Sequence, residues 1–323
     1  MRCLGLAQYL LDQGDECHLV SISSESFLLE QWYQELSNSG GLLTIRCENT
    51  GVKAGSDEDV KFTLSEAGIF SADWIVLDNY GFDAGFQRKL ENKDFYLLYF
   101  DDYRSEYIGS DLVLNQNCQR HPAVENNHLT GTDYFLANRK LRRLIAQRNP
   151  AGISKGDILV TLGGADSENL GLNVVRKLFA VIPGSERIHF AFTSSQQELL
   201  HSREYSSSMK GRLVIHDYPS LVDIYPFIRF AICAGGVTSL ELASLGIVCG
   251  LLVLADNQKD GTACLDELGV ARKCNSIDEA ADFIAGLYSA PEYGKQLAMN
   301  GMGMVDGYGP MRVYKKMCEI MKS

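Results

Sequence analysis

The sequence predicts an α/β protein built of two Rossmann-like domains, and three observations carry that expectation. Short apolar runs of strand length alternate with helical patterns from end to end, which is how parallel sheets covered by helices read. The second half repeats the arrangement of the first. Polar clusters stand where the strand-like runs stop, and open α/β sheets collect their ligands there.

The elements follow in order. Residues 1–11 read as a helix, with Leu4, Ala7, Leu10 and Leu11 on one face and Gly14 as its stop. No strand precedes it, whereas a doubly wound domain normally starts on a central strand. The first strand of the first domain is therefore expected to be missing, as if the chain were cut at its N-terminus. Strands are expected at 18–22, 42–47, 74–78, 96–101 and 112–115 in the first half, and at 157–162, 187–192, 212–216, 230–234 and 248–254 in the second. Between the halves lie the basic segment Arg139-Lys140-Leu141-Arg142-Arg143 and the turn residues Arg148-Asn149-Pro150-Ala151-Gly152. A linker there divides the chain into domains at 1–150 and 151–323.

Composition narrows the function classes. With 323 residues, 46% of them hydrophobic and 22% charged, each half is long enough to bury a core of its own. A formal charge of -11 leaves no basic stripe for a nucleic-acid backbone, though a single nucleotide needs none. The nine cysteines are scattered without Cys-x-x-Cys spacing, so they read as buried free thiols rather than as a disulfide framework or zinc cage. No cofactor or metal is implied. No apolar run reaches the length of a bilayer span and the start lacks the pattern of a secretory leader, so a cytoplasmic location without membrane insertion is expected.

The motif that says most is Gly235-Gly236-Val237-Thr238-Ser239-Leu240-Glu241, placed between the apolar run 230–234 and a helical pattern. Two glycines at a strand end let a backbone approach a phosphate closely. The free N–H groups of the helix's first turn, its dipole and two hydroxyls add an anion site. Glu241 then stands where a carboxylate can reach a diol such as a ribose. Gly-Gly alone would be an ordinary turn with Ser or Thr as its cap; the full string points to a nucleotide or nucleotide sugar. Further polar clusters end other strands: Asp78-Asn79-Tyr80-Gly81, Asp101-Asp102, Asn115-Gln116-Asn117, Gly163-Gly164-Ala165-Asp166 and Ala255-Asp256-Asn257-Gln258. Each also suits a turn.

In order and spacing these blocks, with Met1-Arg2-Cys3-Leu4 and Leu6-Ala7 before them, resemble the nucleotide-sugar hydrolases of pseudaminic acid synthesis. That family shares the GT-B glycosyltransferase architecture and removes UDP from UDP-2,4-diacetamido-2,4,6-trideoxy-β-L-altropyranose. The Gly-Gly-x-Thr-Ser-x-Glu block is also similar to the donor site of the glycosyltransferases of murein synthesis. The resemblance implies that Gly235, Gly236, Thr238 and Ser239 hold the diphosphate and Glu241 the ribose. It implies that Tyr80 and Asn257 touch the sugar, with Gln258 beside the phosphates. Tyr80 reads equally well as a rim aromatic.

Two departures stand out. Asn138, followed by Arg139, occupies the place of the family's Arg in Tyr134-Phe135-Leu136-Ala137-Asn138. The family's Gly-x-Gly-His loop, whose His activates the attacking water, would stand before Met1, so no catalytic residue is assigned within the chain. His18, His121, His128, His189, His201 and His216 read as structural, and Asp101, Asp102 and Asp166 as partners of loop amides. The expected activity is metal-independent, inverting hydrolysis of a UDP-linked diacetamido sugar. The alternatives are a glycosyltransferase using the same donor, or a nucleotide-sugar binding chain without turnover.

Overall fold

The computed structural model describes residues 2–21, 43–47, 52–91, 94–102, 109–117, 127–149, 155–163, 170–192, 211–217 and 220–322. Residues 22, 42, 150–152 and 164–166, together with His121 and His201, lie outside them. The chain divides into two units: one of residues 1–116, 121–139 and 308–323, the other of 117–120 and 140–307. This differs from the division at 150 in two places. Most of the basic helix joins the second unit, and the last sixteen residues return to the first.

In the first unit, α1 (Arg2–Gln13) comes first and is closed by Gly14 in the left-handed region, with the Gly14 and Asp15 N–H groups donating to Leu11 and Leu10 carbonyls. Strands β1 (Cys17–Ser21) and β2 (Leu43–Cys47) form a two-stranded parallel sheet. Helix α2 (Asp57–Phe70), capped by Ser56, leads to β3 (Trp74–Leu77). Then come α3 (Ala84–Leu90), β4 (Tyr96–Phe100), β5 (Leu112–Asn115) and β6 (His128–Thr130). Strands β3 to β6 pair in sequence order as a parallel sheet. Alternation along β4 sets its two faces. Leu98 and Phe100 join Leu112, Leu114, Leu129 and Leu6 on one side. Leu97 and Tyr99 join Val60, Leu77, Phe86 and Leu90 on the other. The helix α4 (Arg139–Gln147) follows β6.

The second unit has one six-stranded parallel sheet. Its strands are β7 (Asp157–Thr161), β8 (Ile188–Phe192), β9 (Leu213–Asp217), β10 (Ile228–Ala234), β11 (Val248–Leu252) and β12 (Arg272–Cys274). Their order is β12-β11-β10-β7-β8-β9. The chain therefore winds outward from β7 to β9 and then crosses to the other side of β7. Strands β8 and β11 are buried along their whole length, as parallel strands covered on both faces must be. Helices α5 (Leu170–Val181) and, later, α9 (Ile277–Ser289) cover one face, placing Leu172, Val175, Leu178, Ala281 and Ile284 against Ile158, Val160, Phe190 and Ile232. The remaining helices are α6 (Leu221–Ile224), α7 (Val237–Ser244), α8 (Lys259–Glu267), α10 (Pro291–Met304) and α11 (Gly309–Ile320). The last belongs to the first unit, where Val313 and Met317 enter the Leu98 face of the core.

All ten strands expected from the sequence are present within a residue or two of their expected bounds. The three-residue strands β6 and β12 are additional; neither carries an apolar run that would announce it. Cys3, Cys17, Cys233, Cys249, Cys274 and Cys318 are free thiols, but Cys264 is disulfide-bonded, which corrects the reading of all cysteines as free. Among the described residues no helix is long and apolar enough to cross a membrane.

Candidate nucleotide site

The winding of the second sheet reverses between β7 and β10, and such a switch point opens a crevice at the carboxyl ends of the two strands. Strand β10 delivers Gly235 and Gly236 to that crevice, and α7 starts at once behind them. Gly235 is held against its neighbours: its N–H donates to the Leu252 carbonyl (3.1 Å), and a Cβ there would stand 1.9 Å from Thr262 Oγ1. Any side chain there would have to displace Thr262. Around Gly236, by contrast, a Cβ would meet nothing within 4 Å. One glycine is demanded by packing and the other faces open space.

The first turn of α7 has free donors. Gly236 caps the helix without a side-chain hydrogen bond, and the N–H groups of Val237 and Thr238 have no acceptor among the described residues. The Ser239 N–H and its buried Oγ both donate to the Gly236 carbonyl, at 3.0 and 2.7 Å. That hydroxyl is spent on the helix's own turn. It draws off the negative end of the Gly236 carbonyl, which leaves the positive end of the helix better suited to an anion.

Glu241 lies one turn further in, 7% exposed, and accepts a hydrogen bond from the fully buried Tyr225 Oη. Burial pushes the Glu241 carboxyl above its ordinary value, and the donation from Tyr225 offsets this only in part. Tyr225 is pushed up as well, by burial and by the adjacent carboxylate.

The neighbouring strand supplies the second wall. Beyond β11, the turn Asp256–Gln258 leads into α8. Gln258 stands beside Gly235, its Cβ 3.6 Å from the position of a Gly235 Cβ, and its Oε1 accepts from the Leu254 N–H at 2.9 Å. The amide NH2 is the end left to bind. Asn257 is exposed next to it. Thr262 was not singled out from the sequence; its hydroxyl is fully buried and has no partner among the described residues. A threonine inside a helix gives no local signal of this kind.

Tyr80 belongs to the first unit, where strand ends gather a different cluster. Arg2 at the start of α1 donates to Asp78 at the end of β3 (2.6 and 3.0 Å) and to both oxygens of Asp102 beyond β4 (2.8 and 2.9 Å). Its guanidinium lies 4.4 Å from the centre of the Phe100 ring. Tyr80, largely exposed, donates from Oη to Asp102 at 3.3 Å, and Cys3 donates to Asp78 at 3.1 Å. Burial pushes the Asp78 carboxyl up, but Arg2 and Cys3 outweigh it and hold it below its usual range. Asp78, from a cluster that suits either a site or a turn, and Asp102, read as a partner of loop amides, are thus both paired with Arg2. In the same unit Gln116 accepts from the Leu136 N–H (3.0 Å), and Arg139 donates to Gln8 and Asp12 of α1. Arg139 therefore anchors a helix in the block where the family carries its Arg.

No protein-family model matches the chain, and no curated protein matches it in sequence. Solved structures match over nearly the whole length. MurG of Acinetobacter baumannii aligns with a TM-score of 0.64 at 12% identity, covering 98% of this chain and 95% of its own. The spinosyn rhamnosyltransferase SpnG complexed with thymidine diphosphate gives 0.62 at 13%, covering 97% and 95%. A UDP-N-acetylglucosamine 2-epimerase gives 0.65 at 11%, covering 98% and 93%. The fold is GT-B. At such identities the likeness concerns architecture, and the chemistry of this chain rests on its own residues.

Proposed function

We propose that the second unit holds the diphosphate of a UDP-sugar at the Gly235-Gly236 turn and that the chain hydrolyses this sugar nucleotide. The observation that carries the reading is the pair of unpaired N–H groups, Val237 and Thr238, at a helix start behind two glycines and at the sheet's switch point. Those donors and the Thr238 hydroxyl bind the phosphates, with the Gln258 amide beside them. Glu241 accepts from the ribose. Asn257 touches the sugar, which by resemblance is a 2,4-diacetamido-2,4,6-trideoxy sugar. Ser239 shapes the turn.

In the reaction, the water oxygen forms a bond to the anomeric carbon as the bond from that carbon to the diphosphate oxygen breaks. The electron pair leaves on UDP, and the water's proton passes to a base not assigned among these residues. The chain's own contribution is to stabilise charge on the leaving diphosphate, through N–H groups already aimed at it. The rhamnosyltransferase likeness favours transfer of the same donor's sugar to another acceptor as the second reading.

The test is turnover of the UDP-linked sugar in EDTA. Release of UDP with free sugar of inverted configuration is expected. Label that appears only in an added acceptor would establish transfer instead, and a folded sample that does not bind UDP would overturn both.

A further inference from the structure

Tyr225 lies outside every motif read from the sequence, yet it donates a hydrogen bond to Glu241, the proposed partner of the ribose. It stands where α6 passes into the turn Tyr225–Phe227, with Pro226 fixing the backbone immediately after it. The turn runs straight into β10, whose far end carries Gly235. The ring is 0% exposed, and its hydroxyl donates to Oε2 of Glu241.

Burying a carboxylate is costly, and a buried Tyr–Glu pair is commonly no more stable than two apolar side chains of similar volume. A core position gains little from it. The geometry is instead asymmetric in a useful way. One oxygen of Glu241 is taken by Tyr225, whereas the other accepts from no donor among the described residues. A carboxyl held at one oxygen has its rotamer fixed and presents the second oxygen to a hydroxyl donor.

Resting on the proposed UDP-sugar reading, we infer that Tyr225 is a positioning residue for ribose recognition: it orients Glu241 so that the site selects nucleotides with an intact 2′,3′-diol. Without the phenol the buried carboxylate would lose its only donor among the described residues and either turn toward another or take up a proton, and in both cases the selectivity would go.

The experiment is calorimetric binding of UDP and of 2′,3′-dideoxy-UDP to the full chain and to Tyr225→Phe. Charged hydrogen bonds of this kind correspond to a preference of about tenfold or more for UDP. In Tyr225→Phe the affinity for UDP should fall to near that for the dideoxy nucleotide, whose own affinity stays constant. A preference that survives unchanged in a variant that still binds UDP would overturn the role of Tyr225. Absence of UDP binding by the folded parent would overturn the nucleotide reading itself. Should Tyr225→Phe fail to fold, 3-fluorotyrosine placed at 225 keeps the hydroxyl and reports by fluorine NMR. Its resonance should move with UDP and not with the dideoxy nucleotide, and an equal response, or none, to both would overturn the inference.

Discussion

Glu241 carries a charge that its surroundings disfavour. A carboxyl whose pKa is raised on folding binds more protons folded than unfolded, so its effect on stability improves as pH falls and is unfavourable above the raised value. Glu241→Gln removes that penalty at any pH where the native carboxyl would ionise. The melting midpoint should rise, by about 2–4 °C for each kcal/mol in a chain of this size. Affinity for UDP should fall about tenfold or more. Differential scanning fluorimetry and calorimetry read the two changes, and a lowered midpoint would show that the charge is net stabilising. This trade of stability for binding is common where a site keeps a group its fold would rather lose. At the same scale, Gly235 and Glu241 could be read from the sequence because a strand, a glycine pair and a helix start are neighbours in the chain. Tyr225, Thr262 and Arg2 could not. Arg2 meets partners 76 and 100 residues away, and no local pattern announces such a pairing.

Elements can be tested where they close a core. Helix α11 is the last of the chain, yet Met317 is 4% exposed among Leu98, Phe100 and Leu114. Met317→Ala should lower the stability of the first unit by about 2–5 kcal/mol, followed by intrinsic tryptophan fluorescence in urea. An unchanged transition would mean that the helix is dispensable there. The edge of the second sheet carries a different device. His189 Nε2 lies 2.9 Å from Asp157 on β7, and His189 Nδ1 lies 2.9 Å from His216 Nε2 on β9. Since the carboxylate only accepts, His189 donates to it and accepts from His216. Burial, and then His189, lower the His216 pKa. The unfolded chain takes the proton that the folded chain resists, so stability should decline as pH drops through about 6.5. His216→Gln keeps a donor for His189 but does not titrate; its melting midpoint should fall less between about pH 7.5 and 5.5. The sequence places both histidines within strand patterns, and they lie on β8 and β9. Strands β6 and β12 escaped the sequence reading because three residues at a sheet edge show no periodicity.

At the scale of the whole molecule, the two units have separate hydrophobic cores. Calorimetry should resolve two unfolding transitions. UDP at a hundredfold excess over its dissociation constant adds about 2.7 kcal/mol to whatever unit binds it, so only the transition of the second unit should move upward. A ligand that shifts the first transition alone would place the nucleotide elsewhere.

By itself the sequence determined the α/β class, the ten principal strands, the GT-B expectation and the glycine pair before α7. These depend on periodicities of two and 3.6 residues and on turn chemistry, which act between near neighbours and are written in the chain locally. Only the tertiary structure decided that residues 308–323 complete the first unit. It also decided that β7 and β10 meet at a switch point, that Asp78 and Asp102 are paired with Arg2, and that one oxygen of Glu241 is taken by Tyr225. Burial and long-range pairing settle such matters, because whether a polar group is free to bind depends on which distant residue has already satisfied it.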